Sequence, residues 1–290
     1  MNATDLTIVV PVYNMLGRLQ NLETWLPKAV EKEIRILLVN DFSDESNWIE
    51  LQQIARKSGI PSADVLRVNF GNPGESRNTG LDHVTSGWVA FWDSDDIPII
   101  EEFLHMISEA EEKGYSIALG KFWIIDDETF QVSRSFQKNN LEQVVLNPGI
   151  WRFAFKVGTI GEARFPGLRM GEDQVFLSRF PISDSNCYFC MRTVYKYFSG
   201  GDFHLVNKLE NVRDLEAAYQ LTLMSVDIEL KVREDFASLL AAKQLVTICR
   251  SEPKLAVRAI FNTVGNIRSR ILKAVVLILI LLIRESRYAK

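Results

Sequence analysis

Cysteine is scarce in this 290-residue chain: three thiols, Cys187, Cys190 and Cys249, an odd number that cannot pair completely within one molecule. A disulfide framework is therefore not expected, and a reducing cytosol is the simpler compartment. Cys187-x-x-Cys190 has no second Cys or His pair at zinc-site spacing, so these read as buried thiols rather than ligands. Histidine is equally sparse, and His83, His105 and His204 are too scattered to suggest a catalytic role. The first residues, Met1-Asn2-Ala3-Thr4-Asp5, lack the basic start and long apolar core of a signal peptide before Pro11, so secretion is not expected. Internal repeats and low-complexity tracts are missing too, although Ser133 to Asn147 is polar enough to predict a mobile loop.

What is present is a chain rich in core-forming residues, 47% hydrophobic, long enough for one large domain and an appendage. Leu6-Thr7-Ile8-Val9-Val10 is a short β-branched run stopped at Pro11, as a buried strand would be. A helical stretch follows over 16–30, then a strand over 34–39 that ends in Asn40-Asp41, and a helix over 48–57 closed by Gly59 and Pro61. A third strand at 65–68, a Gly-rich turn at 71–74, a helix from Glu75 and a fourth strand, Trp88 to Trp92, complete the pattern. Strands alternating with helices predict an α/β fold, a Rossmann-like and mostly parallel sheet with helices on both faces. Ligands of such sheets sit beyond the carboxyl ends of the strands, where Asp41 and the run Asp93, Ser94, Asp95, Asp96 fall.

Three acids within four residues, directly after an apolar strand, repel one another unless a cation relieves them. Hard oxygen ligands suit Mg²⁺ or Mn²⁺, and a metal held by one or two carboxylates completes its shell with waters and substrate phosphates. An Asx-turn with solvated carboxylates is the plainer reading of the same residues. Gly71-Asn72-Pro73-Gly74-Glu75-Ser76-Arg77 places glycines ahead of a helix start, where backbone N–H groups favour an anion and Arg77 stands in the first turn. A tight turn before an ordinary helix accounts for it equally well.

Four motifs occur in order: Val9-Val10-Pro11-Val12-Tyr13-Asn14, Val39-Asn40-Asp41-Phe42-Ser43, Arg77-Asn78-Thr79-Gly80 and Phe91-Trp92-Asp93-Ser94-Asp95-Asp96. Together they resemble the family-two inverting glycosyltransferases of GT-A fold, over roughly residues 5 to 200. The resemblance implies a nucleotide-sugar donor, a UDP-sugar before others, with Pro11, Val12 and Tyr13 lining the nucleoside pocket, Asp41 accepting from the base and Arg77 in the nucleotide site. It implies Ser94 in the donor site, and Asp93 and Asp95 as the carboxylates of an Asp-x-Asp motif holding Mn²⁺ or Mg²⁺, with Asp95 in direct contact. Phe165 to Phe176 is similar to the family's acidic pair at a helix start. It nominates Asp173 as the base that takes the proton of an attacking sugar hydroxyl, with Glu172 beside it toward the acceptor. Direct in-line attack would invert the anomeric centre. Trp151, Arg152, Phe155 and Arg164 fall where the family places its acceptor-facing surface, though Trp151 suits a core as well. Asn40 and Phe42 depart from the commoner acid and small residue, and no Gln-x-x-Arg-Trp follows Asp173, which implies one sugar added per encounter.

The expected organisation is a GT-A domain over 1–200 and a C-terminal helical region over 201–290. From Lys254 onward eight basic residues face one acid, Glu285, a local +7 that leaves −11 for the remainder of a chain whose net charge is −4. That balance argues against a nucleic-acid partner and for a basic tail meeting something anionic. Ile271 to Ile283 is apolar but for Lys273 and spans about 20 Å as a helix, short of the ~30 Å of a bilayer core. With basic residues on both sides, segment 268–287 suits insertion into one leaflet at the cytoplasmic face of a membrane, near a glycan or lipid-linked acceptor. A helix packed against the rest of the chain or against a partner subunit fits the same residues. Two rival functions remain: a catalytically silent nucleotide-sugar-binding or assembly subunit, and a sugar nucleotidyltransferase, whose Gly-rich, Arg-containing opening loop is not found at Val10 to Asn14.

Overall fold

A computed structural model of the chain describes residues 5–13, 19–199, 209–226 and 231–251. In chain order, the first half runs β1 (Leu6–Val12), α1 (Leu19–Glu31), β2 (Arg35–Asp41), α2 (Glu45–Lys57), β3 (Val65–Val68), α3 (Pro73–Leu81), β4 (Trp88–Phe91), β5 (Ile97–Pro98) and α4 (Ile100–Glu112). There follow β6 (Ile117–Asp126), β7 (Val132–Ser135), α5 (Leu141–Leu146), β8 (Phe153–Lys156), α6 (Val157–Ile160), α7 (Glu172–Ser178), β9 (Tyr188–Ser199), α8 (Leu209–Val226) and α9 (Lys231–Ser251).

The described strands form one nine-stranded sheet in the order β3-β2-β1-β4-β8-β6-β9-β5, with β7 paired to β6 off this path. β1 is parallel to β2 and β4, and β2 to β3. β8 lies antiparallel to both β4 and β6, so β6 points the same way as β4, and β9 is parallel to β6. Only β5, β7 and β8 run against the common direction, and the expected α/β, mostly parallel sheet is what forms.

β1 and β2 are buried over nearly their whole length, as strands covered on both faces must be. Alternation then sorts their side chains. Ile8, Val10 and Val12 join Leu22, Trp25 and Leu26 of α1, Leu51 and Ile54 of α2, and Phe103 and Met106 of α4 in one apolar cluster. Val9 points to the opposite face, toward α3. A Cβ at Gly80 would lie 2.3 Å from Val9 Cγ1, so this helix approaches the sheet as closely as a residue without a side chain allows.

The polar stretch 133–147 is not the expected loop. Its start is the edge strand β7, its end is α5 with Val144 and Val145 buried, and Asn139 between them is buried as well.

The chain divides into two compact units. The first holds 1–140, 149–167 and 184–204, hence the sheet; the second holds 141–148, 168–183 and the chain from 205 on. The expected boundary at 200 misses this interleaving, because 141–148 and 168–183 join the C-terminal helices. Within the second unit α8 packs on α9, α7 meets both, and α5 meets α9. No helix among the described residues is long and apolar enough to cross a membrane, and 268–287 lies outside them.

Candidate functional site

The carboxyl ends of β1 to β4 gather the donor-site residues named from sequence. Pro11 and Val12 end β1, the latter buried, and Tyr13 follows with 55% of its surface exposed. Asp41 closes β2 and is buried. Its Oδ1 accepts from the N–H groups of Phe70 (2.7 Å) and Gly71 (3.0 Å), and its Oδ2 from Asn72 N–H (2.9 Å) and the Ser76 hydroxyl (3.0 Å). An ionised carboxylate offers about four acceptor positions, and four donors fill them.

Asp41 thereby organises the 70–76 loop, and the anion that the loop's N–H groups cradle is the protein's own carboxylate. Loop and helix are further pinned by Asn72, whose side chain caps α3 by accepting from Glu75 N–H at 2.9 Å.

Arg77, in α3, is buried and directs Nη2 to Asp93 Oδ1 at 2.7 Å, with its guanidinium 5.6 Å from the Phe165 ring centroid. The next residue, Asn78, forms a reciprocal pair with the Phe165 backbone: Nδ2 donates to the carbonyl and Oδ1 accepts from the N–H, both at 2.9 Å. A Cβ at Gly74 would sit 2.1 Å from Pro166 O, so α3 lies flush on the 165–167 segment.

Asp93 stands two residues past the end of β4. Asp93 and Asp95 are partly exposed, whereas Ser94 and Asp96 are buried. Asp96 Oδ1 accepts from Phe198 N–H at 2.7 Å. Burial, and then the charges of Asp95 and Asp93, push the Asp96 carboxyl well above the usual range, against the pull of the Phe198 N–H and the Tyr195 hydroxyl. Tyr195 is fully buried, accepts from Asp93 N–H at 3.0 Å, and is itself held well above the ordinary phenol range by burial and the charge of Asp96.

Of Trp151, Arg152, Phe155 and Arg164, expected on the acceptor-facing surface, the first three belong to the core. Trp151 is 7% exposed and stacks on Tyr195 and Tyr197 with ring centroids 4.7 and 5.4 Å apart; Arg152 and Phe155 are buried outright. The reason is topological, since β8 and the turn that feeds it lie between β4 and β6 in the sheet. Arg164 is exposed and pairs with Asp82 at 3.0 Å.

In the second unit Gly171, at φ 84°, caps α7 in the left-handed region; a Cβ there would come within 2.8 Å of Ala218 Cβ. Glu172 and Asp173 form the first turn of α7, Glu172 buried and Asp173 partly exposed. Asp173 Oδ1 accepts from Gln174 N–H at 2.7 Å. Lys243 of α9 is half-buried in the same unit; burial lowers its ammonium, and the charge of Asp173 opposes that.

The model of the family described as Glycosyl transferase family 2 matches residues 7–169, more than half of the chain. The chain belongs to this family. The poly(ribitol-phosphate) beta-N-acetylglucosaminyltransferase TarP of Staphylococcus aureus is 22% identical over 232 residues, 76% of this chain and 70% of TarP. The poly(ribitol-phosphate) beta-glucosyltransferase of Bacillus spizizenii is 29% identical over 182 residues, 59% of this chain but 28% of that protein. Among solved structures, S. aureus TarS 1-349 in complex with UDP-GlcNAc aligns with a TM-score of 0.66 at 18% identity, over 85% of this chain and 73% of TarS 1-349. The mannosyltransferase PcManGT from Pyrobaculum calidifontis, in complex with GDP-Man and Mn²⁺, aligns with a TM-score of 0.52 at 13% identity, over 95% of this chain and 86% of its own. The fold is GT-A, and the protein is a glycosyltransferase.

The glycosyltransferase's acidic turn fits a hard divalent ion. Among the described residues no three His, Cys, Asp or Glu side chains form a closed metal cage. Asp93 and Asp95 instead offer an all-oxygen, two-carboxylate set, the kind that leaves places for phosphate oxygens and water. Sequence reading missed several residues packed around these acids. Ser76 and Asn78 stood inside quoted motifs without roles, while Asn21, Tyr195 and Phe198 carried no signal, because only the fold brings them to the acid turn. Within the second unit, Lys243 near Asp173 carried none either.

Proposed function

We propose that this glycosyltransferase moves one sugar per encounter from a UDP-sugar to a hydroxyl of a glycan or lipid-linked acceptor, with inversion at the anomeric carbon. The observation that carries the donor half is the Arg77–Asp93 pair, set in the turn that also bears Asp95, at the carboxyl ends of the parallel strands. There one buried cation and two partly exposed carboxylates can address a diphosphate and a divalent ion together. Asp93 and Asp95 would hold Mn²⁺ or Mg²⁺, which supplies positive charge against the departing diphosphate.

Arg77 steadies Asp93 and faces the phosphates. The exposed rings of Tyr13, Phe42 and Phe70, at the ends of β1, β2 and β3, give the base apolar faces to stack on, since Asp41 is fully engaged. On the acceptor side Asp173 takes the proton of the attacking hydroxyl as the new C–O bond forms, and the bond from anomeric carbon to phosphate breaks with its electron pair leaving on UDP. Attack opposite the leaving group inverts the centre. Basic groups and the apolar run in 268–287 would hold the enzyme on an anionic membrane surface at its cytoplasmic side, in the plane of a lipid-linked acceptor.

The test is hydrolysis and binding of UDP-sugars with and without Mn²⁺, in the parent and in Asp95→Ala. Metal-dependent binding and turnover in the parent, with binding lost and the fold kept in Asp95→Ala, are expected. Donor binding without turnover toward water or any acceptor would make the chain a silent binding subunit. Truncation before Arg268 should release the protein from anionic liposomes while leaving donor hydrolysis intact; retention would overturn the membrane assignment.

A further inference from the structure

The acid turn after β4 is short, and the backbone hydrogen bond from Asp96 N–H to Asp93 O within it is 3.4 Å long. Much of what holds it comes from elsewhere. Immediately past the turn, β5 zips onto β9, with Ile97 opposite Lys196 and Pro98 opposite Tyr195, and Ile99 N–H donates to Val194 O at 2.8 Å. The same strand supplies Phe198 N–H to the Asp96 carboxylate. It also reaches back to the start of the turn, where the Tyr195 hydroxyl accepts from Asp93 N–H. One strand thus fixes both ends. The middle is fixed from the other side of the turn by α1, where Asn21 Nδ2 donates to Asp95 O at 2.5 Å.

The Tyr195 hydroxyl is placed for this work and for little else. Its ring is stacked on Trp151, and Trp151 is wedged against Tyr197 and edge-on to Phe122, so the phenol cannot swing away. The Asp96 carboxyl lies buried near that hydroxyl, its Oδ1 accepting from Phe198 N–H. Asp96 is therefore drawn inward as a structural anchor, and Asp93 and Asp95 stay at the surface of the turn.

We infer that Tyr195 and Asn21 are positioning residues for the divalent-ion site: they fix the backbone of Asp93 and Asp95 in the geometry that lets both carboxylates address one ion. The inference rests on the metal site proposed above. Partners one step removed from a metal's ligands orient those ligands, and losing one lowers metal affinity about 10- to 100-fold.

Mn²⁺ affinity, read by the electron paramagnetic resonance signal of the free ion in the presence of UDP, tests it with no need for turnover. Tyr195→Phe keeps the stack and deletes the hydroxyl; Asn21→Ala deletes the amide at a partly exposed position where the fold is not at risk. Each should weaken Mn²⁺ binding about tenfold while UDP binding without metal is unchanged. Tyr197→Phe, the same deletion from the same stack, should leave Mn²⁺ binding at the parent value. Folded Tyr195→Phe and Asn21→Ala proteins that bind Mn²⁺ as the parent does would overturn the inference, and so would Tyr197→Phe weakening it equally. Should Tyr195→Phe fail to fold, Asn21→Ala decides alone. A parent protein that binds no Mn²⁺ with UDP refutes the metal site itself, and this inference with it.

Discussion

Arg77 Nη2 and Asp93 Oδ1 lie 2.7 Å apart, the arginine side chain 5% exposed and the carboxylate 27%. A guanidinium this enclosed is expensive to leave alone and loses little by facing a partner at the solvent edge. Asp93 is in consequence a shared group: one oxygen on Arg77, its backbone N–H on Tyr195.

Arg77→Gln separates these duties. Loss of one charge-assisted contact is worth about 1.5–3 kcal/mol, so UDP affinity should fall roughly 10- to 100-fold by calorimetry. Mn²⁺ affinity measured without nucleotide should not fall, because the substitution removes a cation that competes for Asp93. A fall in both would mean that Arg77 acts by holding the turn rather than by meeting phosphate.

Phe42 has φ 55°, a left-handed backbone that favours glycine, and yet carries a large ring that is 60% exposed. Phe42→Gly relieves that backbone while loosening the unfolded chain, so the denaturation midpoint should move by no more than about 1 kcal/mol equivalent. Uridine and UDP should bind about 5- to 10-fold more weakly, the value of one stacking contact near 1 kcal/mol. The same loss is expected for Phe70→Ala, whose backbone N–H to Asp41 survives the change. Unchanged uridine binding in both variants would remove the rings from the base site.

Asp173→Asn should keep donor affinity and lose turnover by about 10²- to 10⁴-fold, since the amide preserves shape but cannot accept the hydroxyl proton. Single-turnover transfer with saturating donor is the measurement. Collapse of donor binding with turnover preserved at saturation would move Asp173 to the donor side.

Asn139 is a costly polar side chain to remove. It donates to Leu119 O at 3.0 Å and Cys190 O at 2.8 Å, across the β6–β9 ladder close to where the register shifts, and accepts from Arg152. Arg152 is buried, its pKa pulled below the ordinary value by that burial, with the Phe122 ring 5.2 Å away. Asn139→Ala leaves a buried cation and two carbonyls without this partner, so about 3–5 kcal/mol should be lost, seen as a lower urea midpoint at unchanged slope.

The first four strands and the helices between them were legible because β1, β2 and β4 are continuous apolar runs and α1 carries one apolar face. Asp41, Arg77, Asp93 and Asp95 were legible as a set because each lies at or just past a strand end, or early in a helix, within the first hundred residues. What each does was less so. That Asp41 would be saturated by Phe70, Gly71, Asn72 and Ser76 depends on how the loop folds back, and no spacing records it. Trp151 and Phe155 looked available to a sugar because aromatic residues suit both a core and a carbohydrate face, and only the placement of β8 inside the sheet decides between them. The polar stretch 133–147 misled for a related reason: its hydrophilic residues include an edge strand, which pairs on one side only.

The contact between Asp93 and Tyr195 joins residues 102 apart in sequence, and β9 must slot between β6 and β5 to make it. During synthesis at about 5–20 residues per second, the acid turn therefore leaves the ribosome roughly 5–20 s before the strand that fixes it. Over that interval β1 to β4 can pair, but the turn has neither anchor from β9. A growing chain of this protein should thus set its acid turn only after β9 has emerged, which couples the shaping of that turn to completion of the sheet and not to the appearance of the acids themselves.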